Sequence, residues 1–104
     1  ETIEQGLARE VREELGLPTE SYTPPQFLCS GTDEYEFGDE ARIVLGSLFW
    51  ARLDSQYTPS AQEETAAILF VPLQDVDPDS FFFPDVQAGT RKLKELWSAG
   101  KLQQ

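Results

Sequence analysis

The chain has 104 residues, with 8 lysines and arginines against 19 aspartates and glutamates, giving a formal net charge of −11. That length suits one small domain with a modest core, and the charge argues against a nucleic-acid backbone or an anionic membrane as main partner, since both are polyanions. There is no histidine and a single cysteine, Cys29, which excludes an intramolecular disulfide, His-based triads and His-ligated zinc from this stretch of chain.

The acidity does not exclude a phosphate-bearing substrate, because a bound divalent cation reverses the local sign. Most of the acids read as solubilising, Asp75, Asp77 and Asp79 among them. No apolar run approaches the ~18 residues that would suggest a membrane span.

In chain order, Glu1 to Leu15 reads as a helix: Leu7, Val11 and Leu15 recur every fourth position with Ala8 beside them. Gly16 stands where a glycine ends a helix, and Pro18 prevents continuation. The helical pattern is under way at Glu1 with nothing before it to act as a cap, so the chain reads as a fragment or processed piece. Pro18 to Pro25 reads as a loop, Gln26 to Gly31 as a short strand, and Thr32 to Glu40 as a polar loop or hairpin tip holding Tyr35 and Phe37. Cys29 sits in an apolar stretch and reads as a small core residue rather than a nucleophile.

Ile43 to Leu53 is the strongest strand signal, with β-branched and aromatic residues on both faces. Trp50 within it could stack on a base, but a core role suits a long apolar strand better. A loop over Asp54 to Gln62 precedes a strand at Ala67 to Val71, closed by Pro72. A Pro/Asp-rich connection leads to a last helix over Asp85 to Ala99, where Val86, Leu93 and Trp97 follow helical spacing and Gly100 supplies the stop. Trp97 is expected to pack on the sheet, and Arg91, Lys92 and Lys94 to form a solvated face. Helix, strands, helix in this order suggest an α/β sandwich.

The informative segment is the first helix. Glu10, Glu13 and Glu14 are spaced i, i+3, i+4 and fall within roughly 100° of one another around the helix. Like charges at this spacing repel, by ~0.2–0.5 kcal/mol per pair, so helix stability alone would favour replacing some of them. Three convergent carboxylates supply hard oxygen ligands with concentrated negative charge, which a divalent cation needs. Taken alone, an acidic helix face is more often a solvated face.

The wider pattern is more specific. Glu1 is followed, after seven residues, by Arg9-Glu10-Val11, then Glu13-Glu14, Gly16 and Leu17. This is similar to the Nudix signature from its first glutamate to its end, and the chain resembles the Nudix hydrolases, strongly over its first 17 residues and loosely beyond. The resemblance implies an α/β/α sandwich with a mixed sheet. Residues 1–104 would be the C-terminal portion of the domain, starting within the box, with the strands that normally precede the box missing.

It also implies metal-dependent hydrolysis, with Mg²⁺ or Mn²⁺ as cofactor, of a nucleoside diphosphate linked to another moiety. Carried over by position, Glu13 and Glu14 would be the main metal ligands. Glu10 would be a further ligand or the base that activates water. Arg9 would complete the catalytic pair by holding a box glutamate through an ion pair, with Glu1 as its natural partner, and Gly16 would permit the turn after the helix.

Many members take another acid from a later loop. Glu63-Glu64 precede Ile68 to Leu73, which resembles the family's stretch ending in aromatic-Val-Pro-Leu, and Glu64 is the candidate fourth ligand. Many members carry an acid where this chain has Ala67, and an exposed loop is the alternative reading of Glu64. Tyr35 is the candidate substrate contact, because a tyrosine near that place occurs in members acting on dinucleoside polyphosphates; local packing with Phe37 is the alternative.

The expected partner is a small-molecule nucleotide, not nucleic acid or membrane, in a cytoplasmic setting, with a homodimer left open. The activity is expected of the parent protein, and this stretch alone need not perform it. Two other readings stay open: a Nudix-fold module that senses or binds a nucleotide without turnover, and an acidic helical interaction module without metal.

Overall fold

A computed structural model of the chain describes residues 1–62 and 64–102, apart from the side chains of Asp33, Tyr35 and Phe37. The protein is α/β, the class read from the sequence. Its sheet, among the described residues, is a two-stranded antiparallel one. The chain divides into two compact units, residues 1–25 with 51–70 and residues 26–50 with 71–104. No helix among the described residues is long and apolar enough to cross a membrane.

The first unit is organised by helix α1, Ile3–Leu15. The sequence reading began this helix at Glu1 and found no cap; the structure corrects both points. Thr2 is the N-cap, accepting from the Gln5 amide at 3.1 Å, while the Gln5 side-chain oxygen accepts from the Thr2 amide at 2.8 Å. This reciprocal capping box satisfies two helix-terminal donors at once. The helix ends at Gly16, whose φ of 67° lies in the left-handed region and whose amide donates to the Arg12 carbonyl at 3.0 Å. Leu7, Ala8, Val11 and Leu15 are half-buried, and no residue of α1 is fully buried.

After the helix, Leu17 and Ser21 are buried, the Ser21 hydroxyl donating to the Pro18 carbonyl within a single 3₁₀ turn at Thr19–Ser21. Tyr22 pairs with Leu53 in an isolated antiparallel bridge. That bridge, rather than a strand, accounts for Leu53.

The second unit is a hairpin with a helix on it. Strand β1, Gln26–Phe37, pairs with β2, Glu40–Trp50, through a two-residue turn at Gly38-Asp39. The sequence reading ended the first strand at Gly31 and made Thr32 to Glu40 a loop. Instead, pairs from Thr32↔Leu45 to Phe37↔Glu40 carry the ladder to the tip. Cross-strand pairing overrides the polar composition, as sheet propensity generally yields to context. A bulge between Phe27 and Cys29 leaves Leu28 as the extra residue, and Leu28 is buried.

Helix α2, Pro84–Ser98, packs against both strands. Pro84 occupies its first turn, where a missing amide costs nothing. Its end is a Schellman motif: the Lys101 amide donates to the Leu96 carbonyl and the Gly100 amide to the Trp97 carbonyl, with Gly100 at φ 70°. Gly89 is buried where a Cβ would collide with Leu48 and touch Cys29 Sγ at 3.4 Å, so the helix approaches the hairpin closely. Cys29 is thus a half-buried packing residue at this contact. Trp50 is half-buried at the end of β2, whereas Trp97, expected to pack on the sheet, is 47% exposed.

The strand expected at Ala67 to Val71 does not form: none of these residues is in a ladder, and Leu69 and Phe70 are 84% and 74% exposed. A strand needs a partner for its backbone groups. This segment has none among the described residues, so its apolar composition is not enough.

Candidate carboxylate cleft on the first helix

The candidate side chains of α1, Arg9, Glu10, Glu13 and Glu14, are exposed, outside its half-buried stripe. Arg9 is the centre of their contacts. Its Nε and Nη2 donate to the two oxygens of Glu1 at 3.0 Å each, a fork-to-carboxylate arrangement. Its Nη1 donates to Glu10 Oε1 at 3.3 Å and to Glu13 Oε2 at 3.2 Å. One guanidinium therefore touches three carboxylates.

The hydrogen bond from Arg9 holds the Glu1 carboxyl below the usual glutamate range, with Arg9's charge adding to the effect and partial desolvation opposing it. The guanidinium is correspondingly pushed up, first by its hydrogen bond to Glu1 and then by the charges of Glu1 and Glu13. All these groups are partly solvent-exposed, so each pair contributes little to folding on its own.

Residues 60–62, with 64 and 65, flank the site. The last carbonyls of a helix lack intrahelical donors, and here the loop supplies them. The Ser60 amide donates to the Leu15 carbonyl at 2.9 Å and the Gln62 amide to the Glu14 carbonyl at 3.3 Å. The Thr65 hydroxyl adds a second bond to the Glu14 carbonyl at 2.9 Å. The Thr65 amide folds the loop on itself by donating to the Gln62 carbonyl at 2.8 Å.

Loop and helix approach closely at Gly16: a Cβ there would lie 2.7 Å from Gln62 Nε2 and 3.1 Å from Ser60 Oγ. The result is an open cleft of about 460 Å³ lined by Glu10, Glu13, Glu14, Gln62 and Glu64.

The structure thus brings Glu64 to the cleft of the three helix glutamates, with Arg9 and Glu1 beside it and Gly16 at its end. The Tyr35 backbone lies in β1, and its side chain, like Glu63 as a whole, is outside the described residues. Sequence reasoning missed Gln62, Ser60 and Thr65. Their roles depend on contacts with α1 from far along the chain, and nothing in their local pattern signals this.

The donor set suits a hard divalent cation, being carboxylate oxygen throughout. Among the described residues, no three such groups converge closely enough to hold an ion as they stand. Glu10 and Glu13 are turned to Arg9, while no hydrogen bond or ion pair engages the Glu14 or Glu64 carboxylate among the described residues. No curated protein and no solved structure matches the chain in comparisons with each. A model of the NUDIX domain, however, matches residues 1–93, and the chain belongs to the Nudix family.

Proposed function

We propose that the protein is a Nudix pyrophosphohydrolase, dependent on Mg²⁺ or Mn²⁺, that cleaves a nucleoside diphosphate linked to another moiety. Family membership suggests phosphoanhydride hydrolysis in general. The observation that carries the finer reading is the cleft lined by Glu10, Glu13, Glu14 and Glu64. Glu13 and Glu14 are the main metal ligands, Glu64 a fourth acid from the loop, and Glu10 a further ligand or the general base.

A bound Mg²⁺ or Mn²⁺ supplies positive charge that offsets the charge of the diphosphate as the reaction proceeds. Glu10 accepts a proton from the attacking water, whose oxygen bonds to phosphorus as the bridging P–O bond breaks. The electron pair of that bond leaves with the departing phosphate or phosphomonoester. Arg9, anchored on Glu1, positions Glu10 and Glu13 before the metal enters. No covalent enzyme intermediate is needed, in keeping with a chain that has one half-buried cysteine and no histidine.

Residues 1–104 are, in the same proposal, the C-terminal portion of the domain. Exposed Ile3, Leu69, Phe70 and Val71 support it, as apolar surface that further strands would cover.

The test is a screen of nucleoside diphosphate derivatives with the full-length protein and added Mg²⁺ or Mn²⁺, reading phosphate or nucleotide release. Loss of release in both Glu13→Gln and Glu14→Gln is expected. Unchanged turnover in both would sink the ligand assignment. Metal-dependent nucleotide binding without release would replace the enzyme with a nucleotide-sensing module.

A further inference from the structure

We infer that Arg9 is an internal counter-cation of the carboxylate cleft, which a divalent metal must displace from Glu10 and Glu13, and that Glu1 retains the guanidinium when they leave. The inference rests on the metal-dependent reading above and deepens it. The contacts of Arg9 are unequal. Glu1 receives two donors at 3.0 Å across a matched fork. Glu10 and Glu13 share one nitrogen, Nη1, at 3.3 and 3.2 Å. A shared donor at longer range gives the weaker bonds.

A cation that enters at Glu14, which has no such partner among the described residues, competes with Nη1 for Glu13 and then for Glu10. The site therefore exchanges one cation for another, and the exchange lowers its affinity for metal. It also keeps the box glutamates from repelling one another while no metal is bound. Glu1 biases the exchange: by holding the other edge of the guanidinium, it lets Arg9 give up Nη1 without losing its place.

This differs in sign from a purely supporting role. If Arg9 only propped the ligands, removing it would weaken metal binding. If Arg9 competes, removing it strengthens binding. Freeing Arg9 from Glu1 leaves the guanidinium to Glu10 and Glu13 and weakens metal binding.

The test is titration of the full-length protein with Mn²⁺ alone, following free Mn²⁺ by electron paramagnetic resonance. Wild type is compared with Arg9→Gln, Glu1→Gln and Glu14→Gln. The expected result is Mn²⁺ binding about threefold to tenfold tighter in Arg9→Gln, the scale of one or two exposed ion pairs, and weaker than wild type in Glu1→Gln.

Equal or weaker binding in Arg9→Gln overturns the inference. Should that variant fail to fold, equal or tighter binding in Glu1→Gln overturns it instead. If wild type binds Mn²⁺ and Glu14→Gln does not, these outcomes leave the metal reading standing while the inference falls. If wild type binds no Mn²⁺, both fall.

Discussion

The hydroxyl of Thr65 donates to the backbone carbonyl of Glu14 across 51 residues of sequence, at 2.9 Å. The same carbonyl accepts from the Gln62 amide. These two bonds fasten the loop that bears Glu64 to the turn of α1 that bears Glu13 and Glu14. The main-chain oxygen of one proposed ligand thereby anchors the loop of another.

Replacing Thr65 with valine should remove that anchor while keeping the side chain's shape. The expected loss is about 1 kcal/mol of unfolding free energy, the usual net worth of one hydrogen bond. Urea unfolding would measure it, and Thr65→Ser should recover most of it. A Thr65→Val midpoint equal to wild type would mean the bond contributes nothing in solution.

Gly16→Ala tests the close approach of helix and loop. Alanine restricts the unfolded chain, a gain of ~0.4–1 kcal/mol. Against this, a φ of 67° costs a residue with a Cβ about 1–2 kcal/mol. The Cβ would also displace the Gln62 side chain, 2.7 Å away. Strain wins, so thermal unfolding should show a lower midpoint, and Mn²⁺ titration should show weaker binding because the Gln62 wall of the cleft has moved.

The Glu1–Arg9 pair makes a signed prediction for pH. Arg9's hydrogen bond keeps the Glu1 carboxyl lower than it is in the unfolded chain. The pair's contribution is therefore full above the ordinary glutamate value and is lost as pH falls through the lowered folded value. Carboxyl NMR titration should find Glu1 still ionised below the ordinary glutamate range. In Arg9→Gln that lowering should vanish; a Glu1 titration that did not respond to this substitution would contradict the ion pair.

Gly89→Ala tests the docking of α2 on the hairpin. Helix propensity favours alanine by ~1 kcal/mol. The added Cβ meets Leu48 and sits 3.4 Å from Cys29 Sγ and 3.5 Å from Leu28 Cδ2, and overpacking of a tight contact costs about 1–3 kcal/mol. Net destabilisation is expected in a calorimetric scan. A raised midpoint would show that Leu48 moves aside freely.

The sequence made α1 legible because its signals are local. Apolar spacing, the glutamate spacing and Gly16 all lie within one helix and its end. The Thr2/Gln5 capping box was equally local and was overlooked, since Thr2-Ile3-Glu4-Gln5 carries its pattern in full. The hairpin's outer half was not legible, because Thr32 to Phe37 is polar and becomes strand through its pairing with β2. The segment at Ala67 to Val71 failed in the opposite way: its composition suits a strand, but no partner meets its backbone among the described residues.

By itself, then, the sequence determined a helix stopped at Gly16 with Glu10, Glu13 and Glu14 on one face, because 3.6 residues per turn converts spacing directly into direction. The resemblance to the Nudix signature implied in addition that Arg9 pairs with a box glutamate, Glu1 first. Only the tertiary structure decided that Glu64 joins them, because that depends on loop donors satisfying the open carbonyls at the end of α1. Only the tertiary structure, too, decided how Arg9 divides its donors. A guanidinium offers five hydrogens in a fixed fork, and the placement of Glu1 takes the matched edge and leaves Nη1 for the box.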